Sequence, residues 1–201
     1  MIVKVCGTTE RGVAGFPTDG SVDWLGVIFV EDSPRFAGRQ PFARPDVTTV
    51  AVFRDATTEL ILDYRSRWRF AGVQLHGAES AKQARALRRA GLFVVKALHV
   101  TGPEVLAKAE LDYPPDSVDY FLFDTPGGGT GRTFDWTWLS AYAGETPFLL
   151  AGGIGPGDGD RLLAIDHARL AGVDLNSRFE LAPGVKDYDA LQTFLRDELR
   201  R

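Results

Sequence analysis

The feature that constrains this sequence most is a series of eight short apolar runs separated by longer, more polar segments. The runs begin roughly every 25 residues and occupy residues 2–6, 24–30, 48–53, 70–75, 93–98, 120–123, 148–151 and 172–175. Each run is short for a helix, and most are apolar at consecutive rather than alternate positions. Strands of this kind are buried on both faces, which is typical of a parallel sheet covered by helices.

Most of the segments between the strands carry helix signals. Helices are predicted over residues 57–67, 81–90, 103–111 and 160–168, after residue 131, and from residue 187 onward. Ser80 and Asp187 are suitable N-caps, Gly91 follows the end of one helix, and Pro103 suits a first helical position. The first connecting segment, 12–20, contains a proline and three glycines, so we expect an irregular first helix there.

Eight repeats of a strand followed by a connecting segment predict a (β/α)8 barrel, or TIM barrel. The chain has 201 residues, which is near the lower length for that fold. We therefore expect a compact barrel that occupies residues 1–201 as a single catalytic domain. An open, doubly wound sheet is the alternative architecture, but such sheets more often contain about five or six of these units.

Composition excludes several classes of function. The net charge of −4 and the isoelectric point near 5.4 argue against a general nucleic-acid-binding protein. No run of about 18 apolar residues occurs, so we expect no membrane span. The N-terminus lacks the basic region and cleavage site of a signal peptide, and the single cysteine, Cys6, favours a reducing compartment. These features predict a cytoplasmic protein.

A glycine-rich stretch after the sixth strand is the most distinctive local motif. The strand ends on a carboxylate, Asp124, and four of the five residues at 127–131 are glycine. Glycines in this number allow backbone N–H groups to approach an anion closely. Taken alone, the same residues are explained equally well by a surface turn that caps the next helix, with Asp135 in the first turn of that helix.

Chemically useful residues recur at the ends of several predicted strands. Cys6, Arg35, His76, Asp124 and the pair Gly152–Gly153 all fall at or just after such ends. Taken singly, the cysteine is explained as a small buried residue and the arginine as a solvated one. In a barrel, however, these ends form the rim at which active sites are built, and late glycine-rich loops often bind phosphate there. The pattern predicts an enzyme for a small phosphorylated substrate, with a thiol facing a carboxylate and no metal cluster.

Short motifs along nearly the whole chain carry a resemblance to a known family. They are VKVCGTT (3–9), GVIF (26–29), SPR (33–35), GVQLHG (72–77), KA (96–97), FD (123–124), GGTG (128–131), FDW (134–136), LAGG (150–153), GVD (172–174), Glu180, PG (183–184) and KD (186–187). In this order they resemble the phosphoribosylanthranilate isomerases. The resemblance implies a (β/α)8 barrel of tryptophan biosynthesis that performs an Amadori rearrangement without a cofactor.

The resemblance also implies a role for each matching residue. Asp124 would be the general acid and Cys6 the general base, while Arg35 would hold the anthranilate carboxylate. The predicted substrate-binding residues are Arg35, His76, Gly128, Gly129, Gly152, Gly153, Asn176 and Ser177. The acid must stay protonated near neutral pH, so the pKa of Asp124 should be raised. The thiol, with an ordinary pKa of about 8.5, should have a lowered pKa or supply only a small thiolate fraction.

Departures from the family pattern leave two rival interpretations. The family has a glycine after the eighth strand where this chain has Arg178, which could contribute a charge to phosphate binding instead. A non-catalytic phosphate binder would fit that change, but it would need neither Cys6 nor Asp124. A two-substrate barrel isomerase that also serves histidine biosynthesis would carry aspartate in place of Cys6. Either a monomer or a homodimer is expected.

Overall fold

Eight parallel strands close into a barrel in the computed structural model, which describes residues 1–13, 15–17, 19–38, 44, 46–126 and 133–199. The strands are β1 (Ile2–Cys6), β2 (Trp24–Ile28), β3 (Thr48–Phe53), β4 (Gly72–Leu75), β5 (Phe93–His99), β6 (Tyr120–Asp124), β7 (Phe148–Leu150) and β8 (Leu170–Leu175). Each strand pairs with the next, and β8 pairs with β1. The predicted barrel is confirmed, and the open sheet is wrong.

Some strand ends differ from the predicted ones by one or two residues. β2 stops at Ile28 and not at Val30, because the chain turns there and Ser33 N–H donates to the Val30 carbonyl. β4 begins at Gly72, two residues after Phe70. Phe70 is nevertheless buried, so its side chain contributes to the core without joining the strand. Apolar runs therefore locate burial more accurately than they locate the ends of the hydrogen-bonded ladder.

Six α-helices cover the described parts of the barrel's outside. They are α1 (Glu10–Val13), α2 (Thr58–Trp68), α3 (Ala81–Arg89), α4 (Pro103–Asp112), α5 (Gly159–Leu163) and α6 (Tyr188–Phe194). The predicted N-caps are confirmed: Ser80 Oγ accepts from Gln83 N–H, and Asp187 Oδ1 accepts from Ala190 N–H. Pro103 occupies the start of α4 as predicted. None of the helices in these ranges has the length and apolar character needed to span a bilayer.

Four connections are less helical than the sequence predicts or than a regular barrel would have. The first helix, α1, has only four residues, which confirms the predicted irregularity. After β6 the chain forms a 3-10 helix, Trp136–Ala141, whose N-cap is Asp135. The predicted helix at 160–168 shrinks to α5, so that prediction was too long. No helix lies between β2 and β3 within the described residues 29–38, 44 and 46–47.

A hairpin near the end of the described chain was not predicted. Strands β9 (Glu180–Ala182) and β10 (Val185–Lys186) pair antiparallel, and Gly184 lies between them with φ +80°. Thr9 Oγ1 donates to the Gly184 carbonyl across 175 positions of sequence. The hairpin therefore ties the end of the chain to the loop that follows β1 and brings Glu180 to the barrel mouth.

The barrel interior is built in layers by alternate residues of each strand. At the N-terminal end the rings of Trp24, Phe93 and Tyr120 pack together, with centroids 5.0 and 5.1 Å from Trp24. Gly72 makes room for them, because a Cβ there would lie 2.2 Å from the Phe93 ring. This layer fills the N-terminal end of the barrel interior with side chains.

Candidate active site

A cavity of about 290 Å³ opens at the C-terminal rim of the barrel. Every described residue that was predicted for the site lines this cavity, namely Cys6, Arg35, His76, Asp124, Gly152, Gly153, Asn176 and Ser177. The predicted residues Gly128 and Gly129 lie outside the described residues. The cavity thus collects residues from six of the eight strands and from the loops beside them, as a barrel rim does.

Asp124 ends β6 and faces into this cavity from a buried position. Its Oδ1 accepts from Thr125 N–H at 2.8 Å, and its Oδ2 lies 3.5 Å from His76 Nε2. Burial raises the pKa of Asp124 to about 6, and the nearby carboxylate of Asp174 acts in the same direction. At neutral pH a carboxyl with this pKa is about one tenth protonated, so proton donation from Asp124 is chemically available.

His76 is held as a neutral ring beside that acid. Its Nδ1 accepts from Gln74 Nε2 at 2.9 Å, which leaves the proton on Nε2, the nitrogen that faces Asp124. Burial lowers the pKa of His76 to about 3, and His99 adds to the effect. A neutral imidazole can orient Asp124 without holding it in the ionised form.

Among the residues that the structure describes, three side chains in this region lie close enough together to hold a metal ion. Ligand atoms of His76, His99 and Asp124 all lie within 4.8 Å of one another. Both ring nitrogens of His76, however, are already directed at partners within the protein, Gln74 and Asp124. The three side chains thus form a polar cluster at the cavity, with His76 between His99 and the Asp124 carboxyl.

Cys6 ends β1, which is separated from β6 and Asp124 by β7 and β8, and its thiol is buried. Burial raises the pKa of Cys6, while the charges of Lys4 and Lys186 act to lower it and the charge of Asp174 acts to raise it. The net direction is upward. The sequence predicted either a lowered pKa for Cys6 or a small thiolate fraction. In the protein without substrate the lowered pKa is wrong, so the thiolate fraction near neutral pH is small.

Arg35 reaches the cavity from the loop after β2 and is fixed by a carboxylate of the chain itself. Its Nε and Nη2 donate to Glu180 at 3.0 and 2.7 Å in a two-pronged pair. Glu180 also accepts from Lys186 Nζ at 2.8 Å and from Gly184 N–H at 3.1 Å. Burial acts to raise the pKa of Glu180, but Arg35 and Lys186 hold it below its usual value. The guanidinium is thus pre-positioned at the cavity wall.

Two backbone segments at the rim suit an anion. Gly152 and Gly153 follow β7 with φ +85° and +68°, a region that favours glycine. A Cβ on Gly152 would lie 2.3 Å from Thr125 Oγ1, so the loop cannot carry a larger residue there without moving. Ser177 opens a short 3-10 helix beside this loop, and both segments border the cavity.

Arg178 lies next to these segments at the surface. A Cβ on Gly155 would come within 2.8 Å of both Cβ and Nε of Arg178, so the arginine side chain runs across the loop after β7. The side chain itself is exposed. It therefore places a positive charge beside the loop that carries Gly152 and Gly153.

Several buried polar residues of the site were given no role from sequence. Lys4, Gln74 and Asp174 are each buried inside the barrel, two positions before the rim residues Cys6, His76 and Asn176. Alternation along each strand directs residues two apart to the same face. That spacing was the available signal, and it places one polar residue below each of three rim residues.

Comparison with known proteins gives a single consistent result. The family described as N-(5'phosphoribosyl)anthranilate (PRA) isomerase matches residues 3–197. The N-(5'-phosphoribosyl)anthranilate isomerase of Parabacteroides distasonis is 40% identical, over 99% of this chain and 94% of its own. The crystal structure of the Thermus thermophilus phosphoribosyl anthranilate isomerase matches with a TM-score of 0.83 at 30% identity, over 97% of this chain and 96% of its own.

A further solved structure bears on the ligand. It is a phosphoribosyl anthranilate isomerase in complex with reduced 1-(o-carboxyphenylamino)-1-deoxyribulose 5-phosphate. It matches with a TM-score of 0.76 at 27% identity, over 98% of each chain.

Proposed function

The chain belongs to the N-(5'-phosphoribosyl)anthranilate isomerase family, and from this premise we propose that Asp124 is the general acid and Cys6 the general base of its reaction. The enzyme is an isomerase of tryptophan biosynthesis. It converts N-(5'-phosphoribosyl)anthranilate into 1-(2-carboxyphenylamino)-1-deoxyribulose 5-phosphate. The observation that carries the assignment is one cavity with a carboxyl of raised pKa at one side and a thiol at the other.

The first step opens the furanose ring. The carboxyl of Asp124 transfers its proton to the ring oxygen, the bond from that oxygen to C1 breaks, and the anthranilate nitrogen forms an iminium with C1. A buried carboxyl suits this step because burial keeps a protonated fraction near neutral pH. His76, neutral and directed at Asp124, orients the acid and leaves its proton available.

The second step removes the proton on C2. The thiolate of Cys6 takes it, an S–H bond forms, and the electron pair of the C2–H bond becomes the C1–C2 double bond of an enolamine. The iminium makes this proton acidic, so a modest fraction of thiolate suffices. The enolamine then tautomerises to the ketone. The expected absence of a cofactor stays a prediction, and it agrees with a sequence of steps that consists of proton transfers.

Arg35 is proposed to bind the anthranilate carboxylate. Its two bonds to Glu180 use one edge of the guanidinium and fix the orientation of the rest. A planar guanidinium recognises carboxylates by such paired bonds. Because the arginine is already ordered, substrate binding needs little further loss of side-chain entropy.

The phosphate is proposed to bind at the other end of the cavity, on the backbone of Gly152, Gly153, Asn176 and Ser177. Left-handed glycines and the start of a short helix present N–H groups to an anion. Arg178 adds a charge there. The predicted partner is thus a small phosphorylated substrate, while monomer or homodimer and a cytoplasmic location stay predictions.

Replacing Arg178 with alanine should raise KM for the substrate by about 5- to 30-fold, because one partly exposed charge-assisted contact is lost. The value of kcat should change less. The inhibition constant of inorganic phosphate, measured in competition with substrate, should rise by a similar factor. Arg169→Ala is the matched control, since Arg169 precedes β8 at the opposite end of the barrel. Equal KM values for Arg178→Ala and the wild type would contradict this role.

The test of the proposed function is turnover of freshly prepared N-(5'-phosphoribosyl)anthranilate, followed by the fluorescence change that accompanies its rearrangement. The wild-type protein should turn the substrate over, and variants of Asp124 and Cys6 should not do so at comparable rates. A wild-type protein that binds phosphate compounds but shows no turnover would identify a binder instead.

A further inference from the structure

We propose that Lys4 is the positioning residue that makes Cys6 a base, by holding its ammonium beneath the sulfur and favouring the thiolate, while Asp174 fixes that ammonium below the cavity. The inference rests on the proposed role of Cys6. It assigns a chemical task to a buried ion pair that the reaction steps above leave unused.

The geometry places the two side chains on one face of one strand. Lys4 and Cys6 are two positions apart on β1, so both point into the barrel. The side chain of Lys4 is fully buried, and its Nζ donates to Asp174 Oδ1 at 2.9 Å. Asp174 is the residue paired with Lys4 in the register of β8 against β1. Lys4 therefore cannot reach solvent and is confined to the space beneath the thiol.

A buried ammonium needs partners for its three N–H groups. Asp174 accepts one of them at 2.9 Å, and Cys6 is the rim residue two positions along the same face of β1. Burial acts to lower the pKa of Lys4, but Asp174 and Cys6 together raise it above its usual value, so the ammonium stays charged. A permanent cation close to a sulfur atom favours the anionic form of that sulfur.

Three charged groups face Cys6 from the elements packed around it, namely Lys4 of β1, Asp174 of β8 and Lys186 of β10. Lys186 is directed elsewhere, because its Nζ donates to Asn176 Oδ1 at 2.7 Å and to Glu180 Oε1 at 2.8 Å. Among these three, Lys4 alone lies on the same strand as Cys6, two positions away on the face that points into the barrel. Lys4 is therefore the group through which the protein acts most directly on the thiol.

The proton balance is simple. The Cys6 S–H bond breaks and its proton passes to water, which leaves a thiolate beside the Lys4 ammonium. That thiolate then takes the proton from C2 of the substrate, so the S–H bond is re-formed as the C2–H bond breaks. Lys4 keeps its three protons throughout. Asp174 is a poor rival for the C2 proton because its carboxylate is already engaged by Lys4.

The experiment is a pH titration of the Cys6 thiolate by its ultraviolet absorbance, with Cys6→Ser as the blank. The signal is unambiguous because the chain contains one cysteine. In Lys4→Met the midpoint of the titration should lie at least about one pH unit higher than in the wild type. The kcat/KM at pH 7 should fall about 10- to 100-fold, and the flat part of its pH profile above pH 6 should extend to the higher midpoint of the variant.

A second variant separates lost charge from damage to the fold. Lys4→Met leaves the Asp174 carboxylate buried without its cation, so Lys4→Met/Asp174→Asn removes both charges together. Its titration midpoint should also lie above that of the wild type, since Lys4 acts on the thiol more strongly than Asp174 does. An unchanged midpoint in a folded double variant would overturn the proposal. So would a shifted midpoint with unchanged kcat/KM.

Failure of this inference is distinguishable from failure of the proposed function. The thiolate titration needs no substrate, whereas the role of Cys6 is tested by turnover. If Cys6→Ser keeps full activity, Cys6 is not the base and the inference falls with it, whatever the titration shows. If Cys6→Ser is inactive and the titration is insensitive to Lys4, only the task given to Lys4 is wrong.

Discussion

Asp124→Asn is expected to lower kcat/KM for N-(5'-phosphoribosyl)anthranilate by about 10²- to 10⁴-fold, the range that a positioned general acid contributes. Asparagine has nearly the same shape and can still accept from Thr125 N–H, so the cavity should keep its form. What is lost is the proton that the ring oxygen must receive. The fluorescence assay measures the loss directly.

The pH profile identifies the acid more sharply than the rate does. Below pH 6 Asp124 is protonated, and wild-type kcat/KM should rise with pH as thiolate forms. Between pH 6 and the higher pKa of Cys6, the gain in thiolate offsets the loss of protonated Asp124, which gives a plateau. The residual activity of Asp124→Asn should continue to rise through pH 6. An inflection near pH 6 in both enzymes, after allowance for the substrate phosphate, would assign the acid elsewhere.

Stability provides the control for this variant. The pKa of Asp124 is raised from 3.8 to about 6 on folding, so ionising it costs stability that is absent below pH 4 and complete above pH 6. Asparagine removes that cost. At pH 8 the variant should be more stable than the wild type by up to about 3 kcal/mol in urea unfolding, and at pH 4 the difference should vanish. An inactive variant that is also less stable at pH 8 would point to a damaged fold.

Cys6→Ser should have a comparable effect, a loss of about 10²- to 10⁴-fold in kcat/KM. A serine hydroxyl can take the place of the thiol beside Lys4, but it does not ionise appreciably in the pH range of the assay. The C2 proton then has no adequate acceptor. The proposed acid, Asp124, is unchanged in this variant, so the proposed mechanism places the defect in the second step.

Two further measurements complete the test of Cys6. Binding of reduced 1-(2-carboxyphenylamino)-1-deoxyribulose 5-phosphate should be within a few-fold of the wild type, because Cys6 does not hold the carboxylate or the phosphate. A substrate carrying deuterium at C2 should react more slowly than the protonated one in the variant. Retention of wild-type turnover by Cys6→Ser would remove Cys6 from the mechanism.

The fold and the rim of the site were predictable because both depend on simple patterns. Consecutive apolar residues fix a buried parallel strand, and the first polar residue after such a strand lies at the rim. Cys6 and Asp124 were found in this way, and the cavity contains both. His76 and the pair Gly152–Gly153 were found by the same reasoning.

The polar layer beneath the rim could not be predicted, because its meaning depends on partners far away in sequence. Lys4 lies in an apolar strand, and the sequence around it does not indicate a partner. Its partner, Asp174 on β8, is 170 positions away in sequence. Glu180 likewise meets Arg35 across 145 positions. The hairpin that carries Glu180 contains only two- and three-residue strands, which have no periodicity to recognise.

The large sequence separation of these residue pairs has a consequence for folding during synthesis. Cys6 and Arg35 are synthesised early, whereas Asp174, Glu180 and Lys186, which stand against them, follow much later in the chain. Contacts of such high sequence separation form slowly. A growing chain therefore has no finished catalytic apparatus at any intermediate length, and activity should emerge only when synthesis has passed the hairpin. Turnover is for this reason a stringent report of complete folding.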